Sequence, residues 1–207
     1  QALFIHHFGD PVQNPKNWQT KPLGELGSLN RGKSKHRPRN APELLGGIYP
    51  LIQTGDVANC DGYITTYNQT YSEIGLKQSK MWDEGTLCIT IAANIAKTGI
   101  LKIKACFPDS IVGFIPNEKC NVEFIQFWFS FFQKILEEQA PESAQKNINL
   151  EILKELKIIL PPLPLQEAFA QQIAQIEEQK ALALSQATHS EELFQALLQE
   201  SFSPPQP

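Results

Sequence analysis

Apolar positions change rhythm once along this chain, at Pro161-Pro162-Leu163-Pro164. Before that break the apolar runs are short and separated by Gly, Pro and Asn, as expected for strands and brief helices around one core. After it, from Leu165 to Phe202, there is neither Gly nor Pro, and Ala, Leu, Gln and Glu dominate. The spacing predicts one helix there, about 55 Å long at 1.5 Å per residue. Its apolar ladder steps by fours and threes through Phe169, Ile173, Ile176, Lys180, Ala183, Ala187, Ser190, Phe194 and Leu197. Bulky residues occupy the two ends and small or polar ones the middle, which fits a coiled-coil seam whose helices approach closely at the centre.

The first 160 residues divide into smaller elements. Residues 1–8 have the composition of the last turns of a helix, stopped by Gly9, Asp10, Pro11 and Pro15. Alternation around Leu23, Leu26 and Leu29 predicts entry into a first strand, and the polar stretch 30–47 a loop. Strands are predicted at Ile48–Ile52, Gly85–Ile91, Ile100–Ile103 and Ile111–Pro116, with Thr54-Gly55-Asp56 leaving the first of these in a turn. Helical spacing recurs from Val122 to about Glu138, and again over Leu150–Leu156, where Asn147 and Asn149 are candidate caps. The expected fold is therefore α+β (mixed α/β): a compact domain over 1–160 with a twisted sheet and short helices, then a long coiled-coil-forming helix in 161–207. The two ends also align without gaps. Ala2, Leu3, Phe8 and Pro11 recur as Ala196, Leu197, Phe202 and Pro205, as one unit of a tandem repeat would show.

Charge sharpens this division. The net charge is −4, yet residues 161–207 carry six Glu against Lys180 alone. Conversely, Arg31, Lys33, Lys35, His36, Arg37 and Arg39 fall within nine residues that contain no acid. A basic loop on one element and an acidic helix on another point to an anionic partner for the first. No apolar run is long enough to span a membrane, and the first thirty residues lack the pattern of a secretory signal. The four cysteines stand far apart without CxxC or Cys/His spacing, so buried free thiols are expected rather than a metal site. The chain opens on Gln rather than Met, so trimming from a longer parent is an expectation.

Catalytic signatures are few. GxGxxG, HExxH and GxSxG do not occur, nor does the Asp/Asn-Pro-Pro-aromatic motif of adenine methyltransferases. Pro108-Asp109 with Glu155-Leu156-Lys157 is too widely separated for a nuclease motif, and His6-His7 sits at a terminus. What remains is binding chemistry. Lys and Arg neutralise phosphates, and any Arg can also grip guanine O6 and N7 with two donors. Asn40, Gln53 and Asn94 are amides of the type that pairs with adenine, and Thr54 adjoins one of them. A second loop, residues 92–99, supplies Asn94 and Lys97 among small residues that permit close backbone approach. The candidate DNA-binding set is thus Arg31, Lys33, Lys35, His36, Arg37, Arg39, Asn40, Gln53, Thr54, Asn94 and Lys97. The candidate helix interface is Phe169, Ile173, Ile176, Ala183, Ala187, Phe194 and Leu197.

Several segments in order resemble the specificity subunit of type I restriction-modification enzymes. They are Phe8-Gly9-Asp10-Pro11 with Trp18, Leu23-Gly24-Glu25-Leu26 before the basic loop, and Tyr49-Pro50-Leu51-Ile52-Gln53-Thr54-Gly55-Asp56. Ile91 to Ala96, Phe107-Pro108-Asp109-Ser110 and Ile159 to Gln166 continue the series. The resemblance implies a non-catalytic DNA-reading subunit of the bacterial or archaeal cytoplasm, in which each recognition domain reads half of a split site. It implies methyltransferase and restriction motor subunits as partners. S-adenosylmethionine, ATP and Mg would belong to those subunits, with no cofactor in this chain. One recognition domain with one long helix corresponds to a half-subunit, so a homodimer through antiparallel long helices is expected. Two alternatives stand beside this: the recognition tail of a single-chain methyltransferase-nuclease, and a coiled-coil interaction scaffold.

Overall fold

A computed structural model describes residues 1–92, 95–132 and 148–202, which fall into two units, Gln1–Glu167 and Ala168–Pro207. The first unit opens with helix α1 (Ala2–Phe8), whose Phe4 and Phe8 are fully buried. Phe4 stacks on Phe124 at 5.5 Å and Phe8 meets the same ring edge-on at 5.0 Å. Strand β1 (Thr20–Pro22) follows, then a single turn α2 (Leu23–Leu26) and β2 (Gly27–Arg31). The expected strand at Leu23 is therefore a helical turn. Leu23 and Leu26 are three residues apart and both buried, a spacing that places them on one helical face and on opposite faces of a strand.

A 3₁₀ turn (Pro42–Leu44) leads to β3 (Leu45–Leu51), so the polar stretch 30–47 is loop only between β2 and that turn. Thr54-Gly55-Asp56, expected as a turn, instead starts helix α3 (Thr54–Asn59). The Gln53 backbone N–H donates to the Asp56 carboxylate at 2.7 Å, which satisfies a donor at the helix entrance. Short elements β4 (Tyr63–Ile64), β5 (Gln69–Tyr71), α4 (Glu73–Lys77) and β6 (Met81–Trp82) come next. Then come β7 (Leu87–Thr90), β8 (Thr98–Leu101), β9 (Ala105–Cys106) and β10 (Ile111–Pro116), so the three later predicted strands all form. Helix α5 (Val122–Phe129) is capped by Asn121, whose side-chain oxygen accepts from the N–H groups of Glu123 and Phe124. A turn follows at Ser130, and the remainder of the helix expected to Glu138 lies largely outside the described residues. Asn149 caps α6 (Leu150–Glu155) in the same manner, while Asn147 is outside the described residues. Strand β11 (Lys157–Ile159) returns to pair with β1, and helix α7 runs over Leu163–Phe202.

Three sheets organise the first unit. The largest has five strands in the order β2-β10-β7-β8-β4, the second has four in the order β5-β3-β9-β6, and β1-β11 is a two-stranded ribbon. Trp82 of β6 joins the two larger sheets. Its ring stacks on Phe107 at 4.7 Å, and a Cβ on Gly113 of β10 would run into that ring. Gly113 is thus what lets the indole approach the strand so closely. Ile52, Val57, Ile64, Cys88, Leu101 and Ile111 complete this core. All four cysteines carry free thiols, three of them buried and Cys60 half-buried. Burial raises every one of these thiols, Cys120 to about 12.

The second unit is the body of α7. Phe169 and Ile173 are buried, whereas every described side chain from Glu178 onward is exposed. Ile176 (40% exposed), Phe194 (55%) and Leu197 (53%) leave much of the predicted seam open to water, together with Ala183 and Ala187. The repeat-like ends differ in the same sense. Phe4 and Phe8 are enclosed, while their counterparts Leu198 and Phe202 are exposed. No helix among the described residues is long and apolar enough to cross a membrane.

Candidate nucleic-acid interface

The basic loop is held by its backbone and leaves its charges outside. From Arg31 to Lys35 burial alternates: Gly32 and Ser34 are buried, and Arg31, Lys33 and Lys35 are exposed. The Gly32 N–H donates to the Ile111 carbonyl at 2.9 Å and the Lys33 N–H to the Phe107 carbonyl at 3.2 Å. A Cβ on Gly32 would collide with the carbonyl oxygens of Phe107 and Pro108, so only glycine allows this approach. Further along, the Gln78 side-chain oxygen accepts from both Lys35 N–H (2.6 Å) and His36 N–H (3.0 Å), and the Ser79 hydroxyl donates to the Lys33 carbonyl. Gln78 and Ser79 lie more than 40 residues beyond the loop positions they contact, and no sequence pattern pointed to them.

The cations of this loop form two groups. Among the described residues Arg31, Lys33 and Lys35 pair with no carboxylate. Arg37 and Arg39 share one: Asp109 accepts from Arg39 at 2.6 Å and lies 3.6 Å from Arg37. Arg37 is further held by the carbonyls of Ser34 and His36, at 2.6 and 2.8 Å. His36 is half-buried, with Nδ1 3.1 Å from the Pro38 carbonyl oxygen and Nε2 3.8 Å from Glu43. Asn40 is exposed.

Strand register brings the second predicted loop to the same end of the sheet. Arg31 pairs with Val112, Ile111 with Thr90, and Ile89 with Thr98. The exit of β2, the entry of β10 and the β7–β8 turn therefore share one end of the five-stranded sheet. Lys97 is exposed at the end of that turn, where it is tied to Thr90: the Thr90 N–H donates to the Lys97 carbonyl and the Thr90 hydroxyl oxygen accepts from the Lys97 N–H, both at 3.0 Å. Asn94 lies outside the described residues. Gln53 and Thr54 belong to another cluster. There Gln53 donates to Gln69 at 3.0 Å and Asn68 to Asp56 at 2.6 Å, while Thr54 is half-buried in the first turn of α3. Asp56, Asn68 and Gln69 were not anticipated, because their partners come from a separate strand and loop.

Charge-bearing side chains on loops, set by a sheet beneath them, are suited to a polyanion. Long cations project into solvent while the backbone below is fixed, so little loop ordering is left to be done on binding. Among the described residues no group of His, Cys, Asp and Glu is arranged to hold a metal.

Comparison with known proteins bears on the family and the fold. The family described as "Type I restriction modification DNA specificity domain" matches residues 15–192. The type I restriction enzyme HindI specificity subunit of Haemophilus influenzae is 25% identical over 171 residues, 79% of this chain and 36% of that protein. The crystal structure of the HsdS subunit from Thermoanaerobacter tengcongensis superposes with a TM-score of 0.63 at 20% identity, covering 97% of this chain and 49% of that one. A structure described as the basis of complex assembly and conformational transition of the type I R-M system gives 0.61 at 21% identity, over 88% and 44%. These two superpositions establish the fold, and the chain spans about a third of the length of the curated relative. The matched family covers most of the sequence, and the chain belongs to the type I restriction-modification DNA specificity domain family.

Proposed function

We propose that this chain is a DNA-reading half of a type I restriction-modification specificity subunit. On this reading residues 1–160 recognise one half of a split duplex site, and the helix from 161 onward serves as spacer and docking element. The observation that carries the proposal is the convergence of the basic loop and the Lys97 turn at one end of the five-stranded sheet, in a member of this family. Arg31, Lys33 and Lys35 anchor phosphates, and Arg37, Arg39, Asn40 and Lys97 stand where base edges or the backbone could be engaged. The chain carries out no chemistry itself. Adenine methylation and ATP-dependent cleavage fall to methyltransferase and motor subunits in the cytoplasm of a bacterium or archaeon.

The exposed seam of α7 supports a second element of the proposal. Ile176, Ala183, Ala187, Phe194 and Leu197 offer one apolar stripe that antiparallel pairing with a second copy would cover, giving a two-fold assembly that reads a palindromic split site. The deciding experiment measures binding of a randomised duplex pool with the methyltransferase subunit present. Enrichment of one half-site motif is expected, and reversing Arg31, Lys35 and Arg37 to Glu should abolish it. Equal binding to every sequence at physiological salt would refute the reading, and unaltered partner binding with no DNA affinity would favour an interaction scaffold.

A further inference from the structure

Among the described residues Asp109 is the one acid that reaches into the basic loop's arginine pair, and its position is not free. It sits on the turn between β9 and β10, fixed on one side by the Ile111 N–H to the Pro108 carbonyl at 3.0 Å and on the other by the Ile91 N–H to the Ser110 carbonyl at 3.0 Å. The loop root is pressed onto the same turn, since Gly32 packs directly on Phe107 and Pro108. The carboxylate therefore stands beside Arg37 and Arg39 because two backbone segments are clamped together there. Its two oxygens serve different guanidiniums, Oδ1 for Arg39 and Oδ2 for Arg37. Residues 32–36 of the loop are held independently of these pairs, by contacts with Gln78, Ser79, Phe107 and Ile111.

We infer that Asp109 is an internal competitor for DNA at this interface, occupying Arg37 and Arg39 until an acceptor on the specific duplex displaces it. The inference rests on the DNA-reading function proposed above. A carboxylate and a phosphate offer an arginine the same two-oxygen edge, and guanine O6 and N7 offer a comparable one. Exposed ion pairs of this type are weak enough to be exchanged. Against random duplex, where docking is loose, the pairs with Asp109 persist and only Arg31, Lys33 and Lys35 meet phosphates. At the specific site close approach aligns an acceptor with Arg39, whose bond to Asp109 is its one described contact, while Arg37 remains anchored to Ser34 and His36. Asp109 thus penalises the specific complex by the full strength of the pairs given up there, and random binding only by the weaker phosphate contacts it keeps from forming.

The test compares Asp109→Asn with the wild type, both assembled with the methyltransferase subunit, on the enriched site and on random duplex across a salt series. Expected is a rise in affinity on both duplexes, with a salt slope steeper by up to about 1.8 on random duplex alone, where two more cations become available. Specific-site affinity should rise at least as much as random affinity, by about threefold to tenfold, with its slope unchanged because both arginines are already engaged there. An equal steepening of the slope on both duplexes would mean that Asp109 contributes only bulk charge, and would overturn the inference. So would unchanged or weakened binding of the specific site, the signature of a residue that merely shapes the loop. A wild type that discriminates sites beside a variant with wild-type affinities and slopes rejects Asp109 alone. A wild type with no preference for any duplex rejects the DNA reading and this inference together.

Discussion

Replacing Arg31, Lys33 and Lys35 together with Gln gives a quantitative check on the interface. These three cations are exposed, pair with no carboxylate among the described residues, and alternate with buried Gly32 and Ser34. Their removal should leave the fold intact, with a stability change within about 0.5 kcal/mol for such surface positions. Each phosphate contact contributes about 0.9 to the slope of log K against log salt, so the triple variant should show a slope shallower by about 2.7. Over the range from about 50 to 200 mM salt, wild-type affinity should then fall roughly 40-fold further than that of the variant. Fluorescence anisotropy on a short duplex at five or six salt concentrations measures this directly. Phosphate anchors act on every sequence, so the change in slope should match on specific and random duplexes. An unchanged slope would refute the assignment, and a loss confined to one sequence would mean that these side chains read bases.

Other predictions follow from neighbouring features. Gly32→Ala forces the loop root away from Phe107 and Pro108, so it should cost about 1–3 kcal/mol in chemical denaturation and separate Arg39 from Asp109. Introducing Glu at Phe194 and Leu197, both more than half exposed, should abolish self-association in analytical ultracentrifugation while leaving the melting of the first unit unchanged. A wild type that is monomeric at every concentration would reject that pairing. The thiols predict a pH dependence. Burial raises Cys88 and Cys120 above the ordinary value of 9.0, so the native state keeps protons that the unfolded chain releases. Their stability contribution is complete below about pH 9 and is lost as pH climbs from there toward the folded values, by at most about 1.4 kcal/mol per pH unit for each thiol. Cys88→Ala with Cys120→Ala should flatten that decline in urea titrations between pH 8 and 10.

What this sequence determines unaided is what depends on near neighbours. The Pro161–Pro164 break and the Gly- and Pro-free run behind it specify α7, observed from Leu163 to Phe202. Asn149 caps its helix through N–H groups two and three residues ahead, and the strands at Ile48, Gly85, Ile100 and Ile111 announced themselves as short apolar runs. The cluster from Arg31 to Arg39 was legible for the same reason, since charge density is local. Where local signals competed, tertiary context chose: Leu23 to Leu26 became a helical turn because both leucines are buried on one side, and Thr54 opened a helix because Asp56 could accept from Gln53. Only the folded chain decided which cations stay free. Arg39 meets Asp109 across 70 residues, and the loop backbone meets Gln78 across more than 40. Strand β10 reaches this position by pairing with β2 on one side and β7 on the other, a register set by burying both faces of a central strand. Such pairings depend on how sheets close around Trp82 and Gly113, and no stretch of neighbouring residues encodes them.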